Sequence, residues 1–341
     1  MMLSLPTRPR TGARVLMCPP DYYGVRYRIN PWMDPTRAVD HARAVRQWRA
    51  LVAAYRALGV EVELISPVPE QPDLVFTANA GLVLGDRFVL SRFRYPERQG
   101  EERYFRAWAE RAGFKVIEPP VGLSFEGAGD ALFCGDALFL GHGFRTDAAV
   151  ADWLAARFGL EVVPLQLVDP RFYHLDTCFC PLDAQTALAA PVAFSPDAWR
   201  ELQAHIPHLI PVPEAVAVTF ACNALRVGDV LLTSGPAEAM AELLAPVGLR
   251  PWTFDMSEFI KSGGAVRCLT LPLRGLGAQP PAHHDPALRA PLARVRERPG
   301  PGRAGGPGLR AVVEGRGDRG ASARTPEPGS CALRFETLIS G

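Results

Sequence analysis

The chain has 341 residues, 48% of them hydrophobic and 21% charged, with a formal net charge of +1. That length and apolar content suit one or two globular domains with a large buried core, and the near-neutral charge gives no basis for nucleic acid or a membrane surface as a partner. No apolar run approaches the roughly 18 residues of a membrane span, and seven cysteines in a long chain without a visible secretory signal read as reduced thiols of a cytoplasmic protein.

The first fourteen residues are basic and lack acids, so a short transit peptide is the alternative to a plain cytoplasmic start. Arg14 to Cys18 predicts a strand. A helix is expected from Ala38 to Leu58, where Ala42, Val45, Trp48, Leu51, Val52, Tyr55 and Leu58 recur at three- and four-residue steps. Asp34-Pro-Thr-Arg supplies its cap region. An apolar, strand-like run, Val60 to Ile65, follows.

One phrase then recurs four times: an apolar run, a tight Gly-Asp-type turn and a second apolar run, which is a hairpin signal. The copies open on Asn79, Asp130, Asp176 and Asn223, at intervals of 51, 46 and 47 residues, and Cys268 comes 45 residues after the last. Helix-like segments separate them: Glu101 to Gly113, Asp147 to Phe158, Pro196 to His205 and Pro236 to Ala245. Strand-like runs follow at Lys115 to Glu118, Leu160 to Leu165 and Leu209 to Val212. The unit is hairpin, helix, strand. A period near 50 implies a repeat architecture, in which four polar side chains and one thiol ring a common centre. Val15 to Cys18 is expected to join the unit carrying Cys268 and so to close the ring, which removes free sheet edges. Residues 1–275 read as the folded domain. Residues 276–341, dense in Pro, Gly, Arg and Ala, show no sustained apolar period and read as a disordered tail.

The chemistry concentrates at the ring positions. Cys268 follows Gly263-Gly264-Ala-Val-Arg, and glycines permit close backbone approach beside a ligand. A nucleophilic thiol needs a basic or cationic neighbour. His174 is the best partner, expected on the same strand face as Asp176 two residues on. Glu126 and Asp130 sit in Ser124-Phe-Glu-Gly-Ala-Gly-Asp130, where a carboxylate cluster suits a guanidinium fork. Arg92 and Arg145 each follow a hairpin and are candidates for a substrate α-carboxylate, with Arg94 and Arg98 close to the first. Cys178-Phe-Cys180 is a CxC pair inside an expected strand and reads as two small buried hydrophobes. A metal site lacks a second Cys/His pair at ligand spacing.

With these residues in view, the chain resembles the guanidine-modifying superfamily of pentein-fold hydrolases and amidinotransferases. The matching motifs are Phe76-Thr-Ala-Asn79, Phe125-Glu-Gly-Ala-Gly-Asp130, His174-Leu-Asp176 and Gly263-Gly-Ala-Val-Arg-Cys268. The resemblance implies a five-bladed α/β propeller and a cofactor-free reaction on a small molecule. It makes Cys268 the nucleophile and His174 the proton shuttle, and gives the guanidinium to Glu126 and Asp176. Asp130 matches the closing acid of the family motif, with Ala128 as an extra residue. Arginine deiminases carry Phe-Thr-Arg-Asp where this chain has Phe76-Thr-Ala-Asn79. The chain is most similar to arginine dihydrolases, which also share Met17-Cys-Pro-Pro20 and Ile29-Asn30-Pro-Trp-Met33. They take arginine through citrulline to ornithine with release of two ammonia and carbon dioxide. Asn79, Asp176, Asp130, Asn30 and Asn223 are thus the expected substrate-binding residues beside Arg92 and Arg145. Dimethylargininase and amidinotransferase are the rival activities, and a propeller that only binds is the rival outside enzymes. Oligomeric state stays open, a homo-oligomer included.

Overall fold

Five three-stranded sheets account for the strands of the computed structural model, which describes residues 12–276. Their strands are β1 (Arg14–Met17), β2 (Glu61–Leu64), β3 (Gly81–Leu84), β4 (Arg87–Leu90), β5 (Lys115–Ile117), β6 (Ala131–Cys134), β7 (Ala137–His142) and β8 (Glu161–Gln166). The remainder are β9 (Phe179–Pro181), β10 (Thr186–Ala189), β11 (His208–Pro211), β12 (Leu225–Val227), β13 (Val230–Thr233), β14 (Arg250–Thr253) and β15 (Leu271–Arg274).

Each sheet is built alike. An antiparallel hairpin pair is followed by a helical crossover to a parallel third strand, giving the orders β3-β4-β5, β6-β7-β8, β9-β10-β11 and β12-β13-β14. A parallel pair cannot be joined by a tight turn, so the helix between the second and third strands is obligatory. The hairpin turns place Gly85, Gly135 and Gly228 at φ near +60°, which glycine adopts without a Cβ penalty in a two-residue loop. The fifth sheet, β15-β1-β2, joins the two ends of the fold: β1 runs antiparallel to β15 with Leu16 opposite Leu271. The ring is therefore closed by the strand that the sequence assigned to that task. In each blade the first two strands are largely buried, as in β6, β10 and β13, and the third is the most exposed, as in β14. The architecture is a five-bladed α/β propeller with its first strands innermost.

The helices agree with the apolar periods, with local corrections. The first spans His41–Ala57 and is capped by Asp40, whose Oδ1 accepts from Arg43 N at 2.9 Å. Asp34 instead holds its own upstream turn through Thr36. Ala44 faces the core and Ala42 is exposed, while Leu51, Val52 and Tyr55 pack inward as the spacing requires. The other crossover helices are Glu102–Arg111, Val150–Phe158, Pro196–His205 and Ala237–Leu244. Among the described residues no helix is long and apolar enough to cross a membrane. Leu276, assigned to the tail from sequence, is buried against the core. The rest of the segment read as a tail, residues 277–341, lies outside the described residues.

Candidate active site

The five ring positions do not sit on strands. Each lies in a tight turn just before a first strand: Asn79 in the 3₁₀ turn Thr77–Ala80, Asp130 closing Gly127–Gly129, and Asp176 in Leu175–Thr177. Asn223 and Cys268 occupy the corresponding turns before β12 and β15. This corrects the expectation that His174 and Asp176 share a strand face. His174 is extended at the N-cap of its turn and Asp176 lies inside it, so the alternation of a strand does not apply and the two side chains meet different partners. Cys178 likewise ends that turn, and only Cys180 belongs to β9. Both thiols are buried.

A hydrogen-bond circuit joins the five turns. Asn79 Nδ2 donates to Glu126 O (3.3 Å), and Leu175 N donates to Asp130 Oδ1 (3.0 Å). Asn223 Nδ2 donates to Asp176 O (2.9 Å), and Asn223 Oδ1 accepts from the backbone N of Ala265, Arg267 and Cys268 at 3.0–3.1 Å. Ala78 N donates to Cys268 O (3.1 Å) and returns the circuit to the first blade. The polar residues that open the hairpins are thus, first, the mortar between blades. Buried backbone groups at turn ends must find partners, and these side chains supply them.

Cys268 is buried, with Sγ 3.0 Å from Asn223 Nδ2 and 3.4 Å from Asp176 Oδ2. The glycines before it are required sterically. A Cβ on Gly263, at φ +81°, would lie 2.9 Å from the Tyr173 ring. Burial, then the Asp176 charge, pushes the thiol well above its usual range. Burial also lifts Asp176 to about 7, against the pull of Arg267. At rest the pair therefore holds a proton beside sulfur, and a cation bound there would favour its loss.

His174 and Glu126 form a second cluster. His174 Nε2 is 2.7 Å from Glu126 Oε2, and Arg145 Nη1 is 3.1 Å from the same oxygen. Burial opposes ionisation of Glu126, but Arg145, His174 and Arg98 outweigh it and hold the carboxyl well below its usual range. Burial lowers His174 to about 4, against Glu126. An ionised Glu126 only accepts, so Nε2 carries the imidazole proton and Nδ1 is the free lone pair. Nδ1 has no hydrogen-bond partner among the described residues, which leaves it available as a base. Asp130 supports this cluster from behind, accepting from Thr146 Oγ1 (2.7 Å) as well as from Leu175 N.

A small cavity opens onto Cys268, lined also by Asn79, Asp73, Arg98 and Arg145. Arg145 donates to Ile29 O (2.9 Å) and lies between the Tyr95 and Tyr173 rings. Arg98 is the guanidinium that sequence placed only in a neighbourhood. It donates to Asn79 Oδ1 (2.9 Å) and grips Glu101 with two 2.8 Å bonds. Arg92 stays apart, its guanidinium reaching Glu118 and Pro119 at the surface. Asn30 lines the cavity but spends its amide on Ser262 O and on the Trp32 N–H. Asp73 was missed by sequence reasoning. Its Oδ2 accepts from Tyr27 (2.8 Å), and its buried Oδ1 has no partner among the described residues. No local signal marks Asp73, whereas the Arg98-x-x-Glu101 spacing of an ion pair was readable.

A family model described as N,N dimethylarginine dimethylhydrolase, eukaryotic, matches residues 29–275. The bifunctional arginine dihydrolase/ornithine cyclodeaminase ArgZ of Synechocystis is 48% identical over 263 residues, which cover 76% of this chain and 37% of that protein. The N(G),N(G)-dimethylarginine dimethylaminohydrolase of Mycobacterium tuberculosis is 43% identical over 263 residues, covering 77% of this chain and 86% of that protein. The crystal structure of the N-terminal domain of ArgZ, a cysteine-to-serine mutant bound to substrate, matches at a TM-score of 0.75 and 46% identity, over 79% of this chain and 99% of that one. The chain thus spans well under half the length of the bifunctional relative and nearly all of its N-terminal domain.

Proposed function

This chain belongs to the N,N-dimethylarginine dimethylhydrolase family, and on that premise we propose that it is a cysteine hydrolase taking arginine through citrulline to ornithine. The observation that carries the reading is the cavity itself. It is lined together by a thiol, the amide of Asn79, two buried guanidinium groups and a carboxylate oxygen, Asp73 Oδ1, that has no partner among the described residues. Arg98 and Arg145 suit an α-carboxylate, and Asp73 suits an α-ammonium group. An amino acid held at that end presents its side-chain terminus to Cys268.

In this reading the guanidinium cation favours loss of the Cys268 proton to Asp176, whose raised affinity for protons makes it a competent acceptor. Sulfur attacks the guanidinium carbon; the proton that Cys268 gave up passes from Asp176 by way of His174 Nδ1, the unprotonated ring nitrogen, to a terminal nitrogen, whose bond to carbon breaks and releases ammonia. Water, deprotonated by His174, then attacks the covalent thiouronium and the carbon–sulfur bond breaks, giving citrulline. A second round on the neutral ureido group gives ornithine, with two ammonia and one carbon dioxide formed per arginine from two waters. Asn79 supports the second round because an amide both donates and accepts, whereas a carboxylate favours only the cation.

The high coverage of the mycobacterial relative favours one alternative, release of dimethylamine from dimethylarginine with citrulline as the end product. Incubation with arginine, citrulline and dimethylarginine, with products read by mass, separates the two. Ornithine from arginine is expected, with turnover by Cys268→Ser below about a hundredth of wild type because a hydroxyl lacks thiolate nucleophilicity. Citrulline alone from arginine, or dimethylamine as the faster product, overturns the dihydrolase reading.

A further inference from the structure

A second cavity lies among the first strands of the propeller. Every blade contributes to it from its first strand: Leu82 of β3, Phe133 of β6, Phe179 of β9, Leu225 of β12 and Leu271 of β15. Its walls are apolar, and the charged group lining it is Arg267. Arg267 and Cys268 are neighbours in sequence, yet one lines this cavity and the other lines the catalytic one.

The guanidinium of Arg267 is in an unusual position. The residue is 6% exposed, and among the described residues its guanidinium makes one hydrogen bond, from Nη1 to Thr270 O at 2.7 Å. No carboxylate forms an ion pair with it among the described residues, although the Asp176 charge acts on it. A buried guanidinium carries five donors and is costly to leave without an anion. Apolar walls converging on one such group fit a ligand with an apolar body and a single negative end. A phosphate, with two charges and a full hydration shell, would forfeit the apolar contacts.

We propose that this second cavity is a binding site for a small amphipathic carboxylate, its chain against the five first strands and its carboxylate on Arg267. The site is independent of the amino-acid end of the catalytic cavity, where Arg98 and Arg145 stand. Calorimetry with hexanoate on the full chain tests it, with hexanol as the neutral probe. Saturable hexanoate binding is expected, with hexanol at least about tenfold weaker. Arg267→Met should weaken hexanoate by about tenfold or more. Leu132→Trp fills the cavity from β6 without touching the charge and should abolish binding, and it decides the matter if Arg267→Met does not fold. Absence of saturable binding by wild type, or hexanoate affinity unchanged in a folded Leu132→Trp protein, overturns the proposal.

Discussion

Replacing Asn223 separates the scaffolding of the nucleophile from its activation. The side chain is fully buried, with Oδ1 receiving three backbone N–H groups and Nδ2 reaching the Asp176 carbonyl and Cys268 Sγ. Asn223→Ala orphans the N–H groups of Ala265 and Cys268, while that of Arg267 keeps the backbone carbonyl of residue 223 at 3.2 Å. At about 1–3 kcal/mol for each buried group left unpaired, these two N–H groups alone cost about 2 kcal/mol or more. That is a large share of the about 5–15 kcal/mol that holds a domain folded. Asn223→Asp keeps the acceptor and the shape and removes the donor that reaches both the Asp176 carbonyl and sulfur, adding a negative charge when ionised. Loss of one donor aimed at a developing anion lowers kcat by about 10²–10³. A buried aspartate protonates readily, and its protonated form donates again, so the activity of this variant relative to wild type should rise as pH falls. Melting temperatures, kcat and the pH profile of thiol alkylation check the three statements. An Asn223→Asp protein within about threefold of wild-type kcat at neutral pH, below the loss expected for one donor, refutes a role for the Nδ2–Sγ contact.

His174 titrates near 4 in the fold against 6.5 in a free chain. Its stabilising contribution is therefore complete above pH 6.5 and lost as pH falls towards 4, a span worth about 3 kcal/mol at most. His174→Gln retains a donor for Glu126, so the melting-temperature advantage of wild type over this variant should shrink as pH falls through that window, and a constant difference contradicts the assignment of a neutral imidazole. Asn79→Asp introduces a carboxylate that Arg98 already faces at 2.9 Å. The pair mutes part of the added charge, so the ornithine-to-citrulline ratio at full arginine consumption should fall without reaching zero, and an unchanged ratio removes Asn79 from the account of the second round. Truncation after Gly277 should leave activity and melting temperature nearly unchanged, and a large loss of either shows that the segment read as a tail contributes to the fold.

Much of the propeller was readable because its signals are local. The Gly85-Asp86 and Gly228-Asp229 turns and the apolar runs beside them mark hairpins within a dozen residues, and their spacing counts the blades. Pro196–His205 was bounded correctly because Ser195 caps it, accepting from Ala198 N. The site was readable in its residue types and less so in its geometry. Nothing within a few residues of Asn223 shows that its acceptor serves a loop more than 40 residues on. A strand's period of two misplaced Asp176 because the 3₁₀ turn Leu175–Thr177 carries no apolar pattern. Arg92 and Arg98 differ in burial alone, decided by the fold: Arg98 turns inward from the short helix Pro96–Gln99 onto Glu101, while Arg92 faces Glu118.

The circuit of turns also bears on when a newly made chain becomes reactive. Its final link runs from the peptide carbonyl of Cys268 to Ala78, and the fifth sheet needs both β1 and β15. While residues beyond Thr253 are still being synthesised, four blades can assemble but the sulfur has neither its cradle nor its cavity. Contacts between such distant segments form late because the loop they close must first be ordered. The thiol therefore gains its reactive surroundings in the same step that completes the barrel of first strands. A partly folded chain should show an ordinary cysteine at this position.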